Sequence, residues 1–262
     1  MTVVWWALAS VAGITLLAVP TVQIRTQPAV ARTCQSGRIS QVTLPTMGST
    51  AVAGRVYLPA GYSPSHARLY PMLILLHGAN ATDEQWADIG IAAAADGLIC
   101  AGGISSLVIV LPDGGRFVPP EIDDYVVGTL LPWLTSSYRV AVDAGHRSIG
   151  GISRGGGAAL RIGAAHPELF ASVGGHSAAL DRSVASLVPG LRRLRGGVFL
   201  DVGKKDGLIG SVSALSVALR AVAARNELHV WPGGHDRPYW RAHTAGYLRF
   251  YSASWTFTSP KS

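Results

Sequence analysis

Three side chains set far apart in this chain have the types and settings needed to activate a hydroxyl toward a carbonyl. The first is Ser153, in the stretch SIGGISRGGGAALRI at 148–162, where glycines stand on both sides of one serine. A glycine inside a helix costs roughly 1 kcal/mol against alanine, so Gly155, Gly156 and Gly157 do not serve local helix propensity. Gly151-Ile152-Ser153-Arg154-Gly155 fits G-x-S-x-G, a strained strand-to-helix turn whose flanking residues must be small for strand and helix to approach. Such a turn lifts the hydroxyl above the sheet edge, beside a helix N-terminus whose free N–H groups favour a developing oxyanion. A serine hydroxyl is a weak nucleophile at neutral pH and needs a base oriented by another group.

In an elbow of this kind the partners follow in the order serine, acid, histidine. His235 comes directly after the last apolar strand, in HVWPGGHDRPYW, at the sheet edge where ligands bind. His66, His146, His166, His229 and His243 fall in turns, strand starts or helices and read as solvated or packed residues. Asp236 is too close to His235 to orient it, because adjacent side chains diverge; with Arg237 and Pro238 it reads as a helix N-cap. The expected acid is Asp206, in the loop GKKDG after the strand VFLDVG. Asp201 lies within that strand and is held away by the pleat, and Asp113, in LPDGG, is the second candidate. His77-Gly78-Ala79 closes another strand. The Ala79 N–H, with that of Arg154, is expected to form a two-donor oxyanion hole, while His77 reads as a buried histidine satisfied by local backbone.

The elements that must carry these groups follow from hydrophobic patterning. YPMLILLHG (70–78) and SLVIVLPDGG (106–115) are nearly unbroken apolar runs, as in central strands covered on both faces. Segments 38–45 and 52–58 read as short strands joined at MGST. Further strands are expected at 146–152, 169–175, GVFLDVG and ELHVWPGG. Helices are expected at 83–96, capped by Thr82 or Asp83, and at 123–137, 154–165, 210–225 and from about 236. This alternation predicts an α/β fold with a mostly parallel sheet and right-handed crossovers.

The 262 residues suit one large domain. Hydrophobic residues at 48% and charged residues at 14% exclude a mostly disordered chain. The net charge of +7 is scattered, with no basic stretch interleaved with aromatics, so no nucleic-acid partner is expected. Val3–Val19 is almost continuously apolar, and Ala29-Val30-Ala31 before Arg32 resembles a cleavage signal. Residues 1–31 are therefore expected to be a signal peptide or a retained membrane anchor, associating with a membrane through 3–19, with 32–262 forming the domain. Export is the expected location. Against it stand the lack of Lys or Arg before the run, and Arg25 and Arg32 after it, which favour a cytoplasmic flank. Cys34 and Cys100 are the only cysteines, which excludes a Cys-rich metal site; export would allow them to pair, and the alternative is that Cys100 is a small buried apolar residue before a strand.

Together these pieces resemble the esterase family of α/β-hydrolases that includes S-formylglutathione hydrolase, feruloyl esterases and the antigen 85 mycolyltransferases. The resemblance is carried by LLHGANATDEQW (75–86), LPDGG, LLPWLTSSYRV (130–140), IGGISRGGGAALRIGAAHPELFASVGGHSAAL (149–180), LDVGKKD (200–206) and PGGHDRPYW (232–240). It implies an α/β-hydrolase fold with helices on both faces of the sheet and antiparallel N-terminal strands. It also implies Ser153 as nucleophile, His235 as base, Asp206 as orienting acid, and Ala79 and Arg154 N–H groups as oxyanion hole. Trp86, His176 and Trp240, within the same motifs, are the candidate substrate contacts. One departure stands out: the residue after the serine is usually apolar in this family, and here it is Arg154. Its guanidinium either recognises a carboxylate or phosphate or, as the simpler expectation, pairs with an internal acid. About sixteen residues separate HSAAL from the next strand, too few for a large lid. They carry Arg182, Arg192, Arg193 and Arg195, expected on a solvated helix face near the active-site rim.

The expected activity is hydrolysis of a small-molecule, lipid or sugar ester through an acyl-enzyme, with no cofactor and no metal. Transfer of the acyl group to a sugar or lipid hydroxyl is the alternative, and a non-catalytic envelope binding protein on the same scaffold is the reading from another class. Likeness of fold specifies neither the acyl chain, the alcohol nor the oligomeric state.

Overall fold

The computed structural model describes residues 1–2, 34–47, 49–113, 115, 121–181 and 184–255. The apolar segment 3–19, the Ala-Val-Ala stretch and Arg182 lie outside the described residues. Among the described residues no helix is long and apolar enough to cross a membrane.

The strands are β1 (Arg38–Met47), β2 (Thr50–Leu58), β3 (Met72–Leu76), β4 (Val108–Pro112), β5 (Arg147–Ile152), β6 (Ser172–His176), β7 (Gly197–Gly203) and β8 (Asn226–Trp231). They form one sheet in the order β1-β2-β4-β3-β5-β6-β7-β8. β1 and β2 pair antiparallel, as does β2 with β4, and every later pair is parallel. The apolar runs read as two-sided strands are so: each residue of β3 and β4 is buried. Met72, Ile74 and Leu76 face one core with Leu160, Ile162, Leu215 and Leu219. Leu73 and Leu75 face the other with Trp86, Ile89, Tyr247 and Tyr251.

The helices are α1 (Glu84–Asp88), α2 (Ile91–Cys100), α3 (Glu121–Asp124), α4 (Leu131–Ser137), α5 (Arg154–Ala165), α6 (Val188–Leu191), α7 (Ile209–Ala221) and α8 (Arg237–Ala253). The single helix expected at 83–96 is two, because Gly90 takes φ 87° between them. The helix expected at 123–137 contains a widened π-turn at Tyr125–Leu130. Pro132 has no N–H to give the carbonyl of Gly128 and its ring crowds that carbonyl, which a wider turn relieves.

Two adjacent strands carry matching glycine pairs, and the register brings them side by side. Ser148 pairs with Ser172, Gly150 with Gly174, and Gly151 with Gly175. A Cβ on Gly150 or Gly174 would overlap the Tyr251 hydroxyl of α8. On the opposite face a Cβ on Gly175 would sit 2.6 Å from a Leu160 methyl of α5. Both helices thus lie close on the sheet where side chains are missing. Below them Trp255 donates to Ser148 Oγ at 3.0 Å, and the Ser172 and Ser254 hydroxyls meet at 2.8 Å.

The insert between β6 and β7 contains α6, which buries Val188 and Leu191 and leaves Arg192, Arg193 and Arg195 exposed. Their expected place near the active-site rim is corrected by the chain path. The crossover has run to the N-terminal ends of the strands by this point, and Arg193 and Arg195 line a cavity of ≈ 460 Å³ there with Asp143 and Glu168.

Cys34 and Cys100 are joined in a disulfide, with Cα atoms 5.7 Å apart, which decides between the two readings left open by the sequence. It ties the start of the domain to the end of α2. Asp96 of α2 adds to that tie by accepting from Gly37 N and Tyr57 Oη, both at 2.7 Å. For a sequence separation of 66, chain-entropy reasoning gives up to about 4 kcal/mol. The double substitution Cys34→Ser/Cys100→Ser is expected to lower unfolding free energy by about 2–4 kcal/mol in urea titration, without changing the fold seen by circular dichroism.

Candidate active site

Ser153 sits between β5 and α5 with φ 55° and ψ −117°, a conformation costly for a residue with a side chain. The turn is held from several sides. Ser153 N donates to His176 O at 2.9 Å, and Ser153 O accepts from Gly157 N at 3.0 Å and Ala179 N at 2.8 Å. The glycines around it are required by contact. A Cβ on Gly155 would lie 2.5 Å from the Leu76 carbonyl oxygen, and one on Gly151 would lie 2.7 Å from Gly156 N. Only bare backbone lets α5 start this close to β3 and β5.

His235 follows β8 in the loop 232–236. Its Nε2 is 3.0 Å from Ser153 Oγ, and its Nδ1 is 2.8 Å from Asp206 Oδ2. A carboxylate against Nδ1 fixes the proton there, leaving Nε2 as acceptor for the serine hydroxyl. Asp206 is only 3% exposed, and its other oxygen accepts from Leu208 N at 2.9 Å. The loops carrying acid and imidazole are joined by backbone bonds: Lys204 N donates to Trp231 O at 2.8 Å and Lys205 N to Gly233 O at 2.9 Å. Asp236 caps α8 through Tyr239 N at 2.9 Å. Asp113, the second candidate for the acid, lies elsewhere, with its Oδ1 3.3 Å from His77 Nε2.

The end of β3 brings a further group. Leu76 pairs with Gly151, so Ala79 and Arg154 each follow one register pair by the same number of residues. An added Cβ on Gly78 would be 3.5 Å from Ser153 Cβ, which measures how near the loop runs. Gly78 N donates to Gln85 Oε1 at 2.7 Å, steadying the residue before Ala79. The Arg154 N–H opens α5 and is one of the donors that a helix start leaves without an intrahelical partner. His77 is fully buried and its Nδ1 donates to Gly78 O at 2.8 Å, as expected for a histidine satisfied locally. Burial holds it below the ordinary imidazole range, partly offset by the Gly78 carbonyl and Asp113.

Two of the expected substrate contacts are placed differently. Trp86 and His176 are both 0% exposed, so neither offers a substrate any surface. Trp86 Nε1 donates to Leu76 O at 3.0 Å and the ring packs edge-on against His176. The third, Trp240, is 5% exposed. It stands edge-on to the His235 ring at 5.1 Å and donates from Nε1 to Ser177 Oγ at 3.2 Å, buttressing the imidazole.

His176 belongs to a buried polar cluster that patterning did not reveal. Its Nδ1 is 2.7 Å from Asp201 Oδ1 and its Nε2 is 3.0 Å from Tyr251 Oη. Asp201 Oδ2 accepts from Tyr239 Oη at 2.9 Å and Tyr247 Oη at 2.8 Å. Burial, reinforced by the Asp201 carboxylate, pushes the Tyr247 and Tyr251 hydroxyls well above the usual phenol range, so they remain protonated donors. The available signals were an aspartate inside the apolar strand GVFLDVG and the paired glycines of SIGGI and SVGGH. Together they mark a cleared space with a charge beside it. Tyr239→Phe removes one donor from this buried carboxylate and is expected to cost about 1.5–3 kcal/mol of stability in urea titration.

A family model described as Putative esterase matches residues 46–251. An esterase of Mycobacterium tuberculosis is 33% identical over 133 residues, covering 47% of this chain and 28% of that protein. An endo-1,4-beta-xylanase/feruloyl esterase of Xylanibacter ruminicola is 29% identical over 150 residues, covering 51% of this chain and 20% of that protein. The chain thus spans less than a third of the length of these curated relatives. Among solved structures, a ferulic acid esterase superposes with a TM-score of 0.76 at 27% identity, over 84% of this chain and 100% of that one. The feruloyl esterase module of Clostridium thermocellum, complexed with sinapinate, shares the fold with a TM-score of 0.75 at 20% identity, over 87% of this chain and 92% of that one. With most of the domain inside the family model and the same fold in these neighbours, the chain belongs to this esterase family.

Proposed function

We propose that this chain is a serine hydrolase of carboxylic esters that works through an acyl-enzyme. The observation that carries the reading is the unbroken line of hydrogen bonds from Ser153 Oγ through His235 to Asp206, at 3.0 Å and 2.8 Å. In the first half-reaction Ser153 Oγ attacks the ester carbonyl while His235 Nε2 takes its proton. Asp206 keeps Nδ1 protonated and stabilises the imidazolium that forms. The Ala79 and Arg154 N–H groups are the donors for the tetrahedral oxyanion. Collapse of the intermediate expels the alcohol, protonated by His235. Water then repeats the sequence on the acyl-serine, releasing the acid and restoring the hydroxyl.

The similarity to a ferulic acid esterase supports a small-molecule ester as substrate, and the disulfide supports an exported protein, since such bonds persist in oxidising compartments. Ser153→Ala is expected to abolish labelling by a fluorophosphonate probe and to lower kcat for 4-nitrophenyl esters by about 10⁴-fold or more. A folded wild-type protein that takes up no probe would overturn the reading in favour of a binding protein. Asp206→Asn is expected to leave the fold intact and lower kcat by about 10³–10⁴-fold, because the amide imposes the wrong imidazole tautomer. Steady-state kinetics beside thermal unfolding separates that outcome from loss of structure.

A further inference from the structure

Arg154 is the residue next to the proposed nucleophile, and its side chain does not do what an internal ion pair would do. Other arginines have acids: Arg55 meets Asp83 and Glu84, Arg161 meets Asp123, and Arg237 meets Asp88. Among the described residues no carboxylate pairs with Arg154. Its Nη2 makes one long bond, 3.4 Å, to Gly115 O, and its Nε is buried with no hydrogen-bond partner. Asp113, the acid of that turn, accepts instead from Gly115 N at 3.4 Å and lies 3.3 Å from His77 Nε2.

A half-buried guanidinium with most of its donor fork idle is an expensive choice at this position. It gives up hydration without gaining a counter-ion, whereas an apolar side chain would incur neither cost. Departures of this kind from local economy concentrate at functional sites. The bond to Gly115, and the Arg154 charge acting on His77 in the same direction as burial though less strongly, put the guanidinium between the ends of β3 and β4. That is the same end of the sheet as the Ala79 donor. Lys204 and Lys205, in the loop that delivers Asp206, are exposed and form no ion pair among the described residues, while Asp113 is the acid beside Gly115. Exposed cations without counter-ions raise the local concentration of anionic ligands.

We propose that the Arg154 guanidinium is an anion subsite of the ester-binding cleft, selecting esters that carry a carboxylate or phosphate a few bonds from the scissile carbonyl. The inference rests on Ser153 being the nucleophile, and it leaves the acyl-transfer steps unchanged. Paired oxygens of a carboxylate or phosphate match the guanidinium fork in geometry as well as charge. Lysine would keep the charge and lose the fork.

The test uses two matched substrate pairs. One places the charge on the acyl side, 4-nitrophenyl hydrogen adipate against its methyl ester; the other places it on the alcohol side, 4-(butyryloxy)benzoate against its methyl ester. The readout is the ratio of kcat/KM for the anionic over the neutral member. In Arg154→Met this ratio is expected to fall about 10- to 100-fold in at least one pair, chiefly through KM, as loss of a charge-assisted hydrogen bond implies. Arg154→Lys should fall between Met and wild type. Ratios unchanged within about twofold in both pairs would overturn the subsite, as would an equal loss on both members, the mark of a side chain that only braces the Gly115 turn. Fluorophosphonate labelling of Arg154→Met and of a second variant, Arg154→Gln, shows that the altered sites remain assembled. A wild-type protein that is not labelled removes the nucleophile and the subsite with it; labelled variants with unchanged ratios remove the subsite alone.

Discussion

The whole site depends on one close crossing of backbone. Helix α5 begins within contact distance of the ends of β3 and β5, and only there does Ser153, at φ 55°, stand clear of the sheet edge. Held conformations of this kind cost on the order of 1–3 kcal/mol each and survive only where the surroundings over-determine them. Here the surroundings are glycine and backbone bonds. Gly151 and Gly155 give the clearance, and the carbonyl and N–H of Ser153 are both taken by neighbouring chain. A side chain at either glycine would push α5 outward, and the serine hydroxyl would leave the reach of His235.

The same economy of side chains operates on the other face of the sheet. Gly150 and Gly174 admit the Tyr251 hydroxyl, and through it α8 is anchored to His176, itself bonded to Asp201, beneath the elbow. The first turn of α8 carries Tyr239, bonded to Asp201, and Trp240, edge-on to His235. The position of the imidazole is thus fixed from within the core rather than from solvent. His176 also contributes its carbonyl to Ser153 N. One buried cluster therefore braces both the serine and the histidine, although none of its side chains faces a substrate.

How much of this could be read from the chain follows from what leaves a local signature. Two-sided strands did, because β3 and β4 are continuous apolar runs; the elbow did, because its glycines have no local justification. The chain order serine, aspartate, histidine after β5, β7 and β8 pointed to Ser153, Asp206 and His235, which the structure brings together. Gly90 and Pro132 carried the breaks at α1/α2 and in the π-turn, but helix periodicity across them masked the effect. Trp86, in α1, and His176, at the end of β6, misled, since a polar aromatic near the strand ends looks the same in sequence whether it lines a cleft or fills a core. The difference lies in partners far along the chain: Leu76 for Trp86, and Asp201 and Tyr251 for His176. Arg193 and Arg195 misled because sequence distance from HSAAL does not say at which end of the sheet a crossover finishes.

Two aspartates five positions apart, Asp201 and Asp206, show why the same side chain is structural in one place and suited to catalysis in the other. Both are nearly or fully buried, and a buried carboxylate must be satisfied by donors. Asp201 is satisfied from inside by His176, Tyr239 and Tyr247, so it has no capacity left to orient another imidazole. Asp206 has one oxygen bound to Leu208 N and the other to His235. Its burial is compensated only while the imidazole presents a proton on Nδ1. The cost of leaving that oxygen unpaired, about 1–3 kcal/mol or more for a charged group, holds His235 in the tautomer with its Nδ1–H donated to Asp206 and Nε2 free to accept from Ser153. Orientation of the His235 imidazole is therefore enforced by the core, through a carboxylate with nowhere else to turn.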